Sequence, residues 1–192
     1  MTDITARSGV ARAEFPIGNV SPVTEPDRNL VLMRHGKSAY PDGIADHDRP
    51  LAPRGVREAA LAGDWLRANL PAVDAVLCST AARTRETLAC SGIDAPVQYV
   101  ARLYGGTPGT VIEEINRVAD DVTTLLVVGH EPTTSSVAIL LAGADGTNYA
   151  AVDRIEEKFP TSAMAVLRVP GRWADLEVGS AALIEFHVPR KD

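Results

Sequence analysis

Four side chains in this sequence are of the types that move a phosphoryl group, and each sits just beyond a hydrophobic run. Arg34 and His35 follow the apolar run 30–33. His130 follows 125–128 with only Gly129 between, and Arg83 lies a few residues past 73–77, in the first turn of a predicted helix. A phosphoryl dianion is matched by planar guanidinium donors. A helix N-terminus adds backbone N–H groups and positive dipole. Imidazole, with an ordinary pKa of ~6.5, can be a neutral nucleophile at one position and a donor at another. Attack by imidazole gives a phosphoenzyme that water can discharge, while fixed positive groups stabilise the equatorial oxygens. A lone Arg-His-Gly tripeptide, or a histidine after a strand, carries little by itself. Three signals of the right type at three equivalent strand ends point to a phosphatase, with His35 as nucleophile and Arg34, Arg83 and His130 binding phosphate.

The elements that must position these groups follow from apolar patterning. The runs 30–33, 73–77, 97–100 and 125–128 predict buried strands. Between them lie helical signals. Pro53 opens one helix with apolar residues at Val56, Ala59, Ala60, Gly63, Leu66 and Leu70; residues 81–89 form a second, capped by Ser79 or Thr80 and stopped by Gly92. Thr107-Pro108 opens a third through Val118, and Pro132 opens a fourth that ends near Gly143. The polar, Pro- and Gly-containing stretch 40–50 is a predicted loop. Residues 163–169 and 182–188 predict two more strands with no helix between them, and Trp173 and Leu176 fall in that connection. Alternation of strand and helix predicts an α/β three-layer sandwich with a mostly parallel central sheet and an antiparallel component at its end. Ligands of such sheets bind beyond the carboxyl ends of the strands, where the four residues fall.

Composition narrows the partners. The 192 residues carry a formal net charge of −6 and 45% hydrophobic content. One domain, 29–192, is the expectation, preceded by a mobile or surface-draped leader, 1–28, that has the character of neither a signal peptide nor a basic arm. The acidic balance argues against nucleic acid and anionic membrane as partners, and no run reaches ~18 apolar residues. Cys78 and Cys90 fit no metal spacing and are read as reduced thiols of a cytoplasmic protein. No cofactor and no metal is expected. Asp42, Asp46 and Asp48 match no calcium-loop spacing.

The motifs resemble a known family. Leu32-Met33-Arg34-His35-Gly36 resembles the signature of the histidine phosphatase superfamily, which includes phosphoglycerate mutases. Cys78-Ser79-Thr80-Ala81-Ala82-Arg83-Thr84-Arg85-Glu86-Thr87 is similar to its second block, and Val128-Gly129-His130-Glu131-Pro132 to its third. The resemblance implies a phosphoglycerate mutase-like fold, Arg83 as the phosphate-binding arginine and His130 as the second pocket histidine. Asp48-Arg49-Pro50-Leu51 and Arg54-Gly55 look like the short SixA-type branch of phosphohistidine phosphatases.

The sequence departs from many members of that superfamily where a glutamate proton donor is carried on an inserted segment. The matching stretch, Ala101 to Gly106, has no carboxylate and almost no insertion, so no large cap domain is expected. Candidate replacements for that donor are Asp42, Asp46 and Asp48 in the loop after His35, and Glu131 beside His130, with Asp48 and Glu131 taken as the possible weak proton donors. Each has a plainer role: Asp48 as a loop anchor through Arg49 or Arg54, and Glu131 as a carboxylate complementing a helix start. An open pocket without a dedicated acid suits a leaving group that departs easily, so phosphohistidine on a protein is the expected substrate. A small phosphorylated metabolite is the enzymatic alternative, and a non-catalytic phosphate- or phosphopeptide-binding module is the other.

Overall fold

The computed structural model describes residues 27–190. The expected leader lies outside the described residues except for its last two, and of these Arg28 is buried at the start of the first strand. The strands are β1 (Arg28–Arg34), β2 (Ala75–Ser79), β3 (Val97–Val100), β4 (Thr124–Gly129), β5 (Met164–Val169) and β6 (Ala182–His187). The helices are α1 (Pro53–Asn69), α2 (Ala82–Ser91), α3 (Pro108–Ile115), α4 (Thr133–Leu141) and α5 (Tyr149–Glu157).

The strands form one sheet in the order β3-β2-β4-β1-β5-β6. β3, β2, β4 and β1 run parallel, while β5 is antiparallel to both β1 and β6. The chain is thus an α/β sandwich whose parallel part carries the site. Its central strands are apolar on both faces because both faces are covered. Leu30 and Leu32 of β1 face α3, α4 and α5 with Leu125 and Val127, whereas Val31 and Met33 face α1 and α2 with Leu126 and Val128. All four β1 residues are essentially inaccessible, and burying each such side chain contributes roughly 1.5–3 kcal/mol.

Two expectations about helices change. Neither Ser79 nor Thr80 caps α2: its N-cap is Ala81 with no side-chain bond, and Thr84 Oγ1 instead donates back to the Ser79 and Ala81 carbonyls. Ser79 belongs to β2, which frees its hydroxyl for other work. The third helix ends at Ile115 rather than running on to Val118. α5, capped by Asn148, was not anticipated. Gly92 does stop α2, in the left-handed region at φ 64°. Among the described residues no helix is long and apolar enough to cross a membrane.

Candidate active site

The parallel register brings the chemistry together. Arg34 of β1 pairs with Gly129 of β4, and Cys78 of β2 pairs with Val128, so Ser79 stands level with Gly129. The next residue along β1 is His35 and the next along β4 is His130. The His35 N–H donates to the Gly129 carbonyl at 3.0 Å, carrying the ladder one step past the strand. The two imidazole rings end 5.2 Å apart, centroid to centroid, tilted by 56°. Arg83 arrives on the first turn of α2, whose N-terminus points to the same edge.

The turn after His35 is fixed from two sides. Ser162, buried at φ 61°, donates its N–H to the Arg34 and His35 carbonyls at 3.2 Å each. Such strained positions cluster at functional sites. On the other side Gly36 N–H donates to Thr87 Oγ1 of α2 at 2.8 Å, and Thr87 donates to the Arg83 carbonyl at 2.5 Å. Gly55 lets α1 press on this turn: a Cβ there would lie 2.3 Å from the Lys37 carbonyl oxygen. One contact chain therefore links the nucleophile candidate to the helix that carries Arg83.

His35 Nδ1 is 2.7 Å from the Gly36 carbonyl, an acceptor only, so Nδ1 carries the proton and Nε2 keeps its lone pair. Burial is the main cause that holds the His35 pKa down to about 4; the Gly36 bond pulls it upward, and the charges of Arg83, Arg34 and Arg49 each push it down by less. His130 is held still lower, about 3, by burial and then by His35 and Arg83. Both rings are neutral at pH 7. His130 Nε2 lies 2.8 Å from the buried Ser79 hydroxyl. Its Nδ1, like Arg34 Nε, is buried without a partner among the described residues. Arg34 Nη1 donates to the Phe159 carbonyl at 2.6 Å.

Arg83 is buried and faces Asp46. Its Nη1 donates to the Asp46 carbonyl at 2.5 Å and its Nη2 to Asp46 Oδ2 at 3.1 Å. The same carboxylate accepts from Tyr104 Oη at 2.8 Å and from Arg49 at 2.6 Å. These bonds hold the Asp46 pKa down to about 2, with Tyr104 and Arg49 the main causes. Tyr104 stands edge-on to His130 at 5.5 Å and to His47 at 4.9 Å. Asp46, Tyr104 and His130 share with Arg83 the lining of an open cavity of about 500 Å³.

The candidate proton donors occupy other positions. Asp48 pairs with neither Arg49 nor Arg54. It lies 3.1 Å from His47, and its side chain is 70% exposed, while the loop-anchoring bond to Arg49 is made by Asp46. Arg54 pairs with Glu58 instead. Glu131 lines the cavity, but both its oxygens accept from Ser135 at the start of α4, at 3.0 and 2.7 Å, the helix-start role expected of it. Sequence reasoning missed Ser79 as the partner of His130, Tyr104 as a wall of the cavity, and Asp46 as the residue on Arg83. The signal for Ser79 was present, since it occupies the same strand-end level as Gly129. His47 Nε2 lies 3.0 Å from Thr80 Oγ1. Trp173 is in the core, and Trp65 stacks on His187. Burial pushes the Cys78 thiol up to about 12, which removes it as a rival nucleophile. Among the described residues no cluster of three or more His, Cys, Asp or Glu could hold a metal ion.

Comparison with known proteins identifies the family. The family model of the histidine phosphatase superfamily, branch 1, matches residues 30–105. An uncharacterized protein of Mycobacterium tuberculosis is 76% identical over 82% of this chain and 100% of its own length. A solved structure from Nakamurella multipartitia, described as a candidate phosphohistidine phosphatase SixA, is 44% identical, covers 86% of this chain and 98% of its own, and superposes with a TM-score of 0.79. The phosphohistidine phosphatase SixA of Escherichia coli is 29% identical over 54% of this chain and 67% of its own. The chain belongs to the histidine phosphatase superfamily, in its SixA-type branch, and is a phosphatase.

Proposed function

We propose that the protein hydrolyses phosphohistidine on a phosphorylated protein through a covalent intermediate on His35. The observation that carries the mechanism is the His35–Gly36 hydrogen bond: with Nδ1–H held on a carbonyl, the lone pair of a neutral ring lies on Nε2. That nitrogen attacks phosphorus as the bond to the leaving group breaks. Arg34, Arg83 and the α2 N-terminus hold the phosphoryl oxygens, and the buried N–H capacity of Arg34 Nε finds its partner there. His130, oriented by Ser79, donates to a phosphoryl oxygen or takes a proton from the water that later attacks the phosphoenzyme. The neutral nucleophile argues against a non-catalytic binding module.

Support for the substrate comes from the leaving-group side. Asp46 is ionised throughout the physiological range and Glu131 is bound to Ser135, so neither is set up to deliver a proton. Phosphohistidine needs none at the leaving atom. The names of the SixA relatives point the same way. Two free cysteines suit a cytoplasmic setting. The test is kcat/KM on a phosphohistidine peptide, a phosphoserine peptide and small sugar phosphates at matched concentration. Phosphohistidine should lead by at least tenfold. A sugar phosphate turned over as well or better would replace this reading with a small-molecule phosphomonoesterase, which the open cavity next to Arg83 would also admit.

A further inference from the structure

The mechanism above uses Arg83 but leaves unexplained why a carboxylate is bonded to it. Asp46 is carried on a short 3-10 turn, Asp46–Asp48, and reaches across to Arg83, Arg49 and Tyr104. A carboxylate has roughly four lone-pair sites. Oδ2 takes the Arg83 and Tyr104 bonds and Oδ1 takes Arg49, so Oδ1 keeps an accepting site, and the side chain is 55% exposed. The cavity beside the phosphate-binding groups is therefore charged unevenly. Arg83 marks the phosphoryl end, and Asp46 and Glu131 supply negative charge to the remainder. An anionic leaving group placed there meets two carboxylates. A flat cation meets Asp46 and the Tyr104 ring, both of which favour it.

We propose that Asp46 is a specificity-determining residue that accepts an N–H from the protonated imidazole ring of a phosphohistidine side chain, selecting nitrogen-linked over oxygen-linked phosphate. This rests on the phosphohistidine reading. The free ring nitrogen of the substrate takes a proton from solvent, making the ring a cation that donates to Oδ1. The His35 Nε2 lone pair then forms the new N–P bond. The substrate's own P–N bond breaks, and its electron pair stays on the departing nitrogen. The substrate ring leaves as neutral imidazole still carrying its N–H. The positive charge has passed to the His35 ring, whose Nδ1–H remains on the Gly36 carbonyl. Asp46 stays ionised and accepts throughout, so it acts on binding of the protonated substrate and appears mainly in KM.

The experiment compares wild type with Asp46→Asn on a phosphohistidine peptide and on p-nitrophenyl phosphate, together with inhibition by inorganic phosphate. Asp46 lies on an exposed turn, and equal thermal midpoints would show that the variant folds. A hydrogen bond to a charged group accounts for about tenfold or more, so the phosphohistidine kcat/KM should fall at least tenfold further than that of the ester, chiefly through KM. Phosphate inhibition should be kept or strengthened, because a charge that repels the dianion is gone. Equal losses on both substrates with weakened phosphate inhibition would overturn the proposal and leave Asp46 as a residue that only orients Arg83. No loss on either substrate would also overturn it. A wild type that turns over the ester but not the phosphohistidine peptide would overturn the functional reading, and this role with it.

Discussion

The imidazole rings of His35 and His130 stand 5.2 Å apart at the ends of two hydrogen-bonded parallel strands, and burial keeps both uncharged near neutrality. Two like-charged rings at that separation beside two arginines would repel. The site avoids this by holding each ring neutral, which is also the state a nucleophile requires.

That relationship has a pH signature. Folded pKa values of about 4 for His35 and about 3 for His130 lie below the ordinary imidazole range. Between those values and ~6.5 the unfolded chain binds more protons, so these groups make stability fall as pH drops through that window. NMR titration of the histidine ring protons should show two rings still neutral at pH 5.5. Midpoints near 6.5 for both would contradict the buried, arginine-flanked geometry.

On the proposed reading, Arg83→Ala removes a charged donor to the phosphoryl group. Such a contact is worth roughly 1.5–3 kcal/mol, so kcat/KM should fall by at least about tenfold. Activity within twofold of wild type would exclude Arg83 from phosphate binding, despite its place on the first turn of α2.

Ser79→Ala deletes the partner of His130 Nε2. One neutral hydrogen bond is worth about 0.5–1.5 kcal/mol, so a loss of roughly twofold to tenfold in kcat is expected, with little change in phosphate inhibition. An equal loss in kcat and phosphate affinity would mean that Ser79 supports the whole strand end rather than one ring.

Gly63→Ala tests the packing beneath the site. A Cβ there would lie 1.8 Å from the Ser91 carbonyl oxygen, where α1 crosses α2. Alanine gains ~1 kcal/mol of helix propensity, but a backbone clash cannot be relieved by a rotamer change. Overpacking costs about 1–3 kcal/mol or more, and for a domain of this size each kcal/mol lowers Tm by about 2–4 °C. An unchanged or raised Tm would show that the helices are not in that contact.

Much of this was legible in the sequence where pattern and chemistry coincide. The continuous apolar runs of β1, β2 and β4 are those of strands buried on both faces, and the Arg34, His35 and His130 positions follow from where those runs stop. α5 was not legible because its buried side is thin, only Ala151 and Ile155, in nine residues. The cap of α2 was misjudged because Ser79 completes a strand, and strand pairing with β3 and β4 overrides a local capping preference. Asp46 and Asp48 are chemically alike and two residues apart. Only the turn geometry sends the first to Arg83 and the second to His47. Tyr104 gave no sign because its role depends on a contact 58 residues away in sequence.

The most direct measurement is the covalent intermediate itself. Wild-type protein should be mixed with ³²P-labelled substrate and quenched rapidly in acid or in alkali. With His35 as the proposed nucleophile, its Nε2 lone pair free, the label should survive alkali, disappear in acid, map to His35, and be absent from His35→Ala. A label that persists in His35→Ala, or that is acid-stable and alkali-labile, would contradict the account.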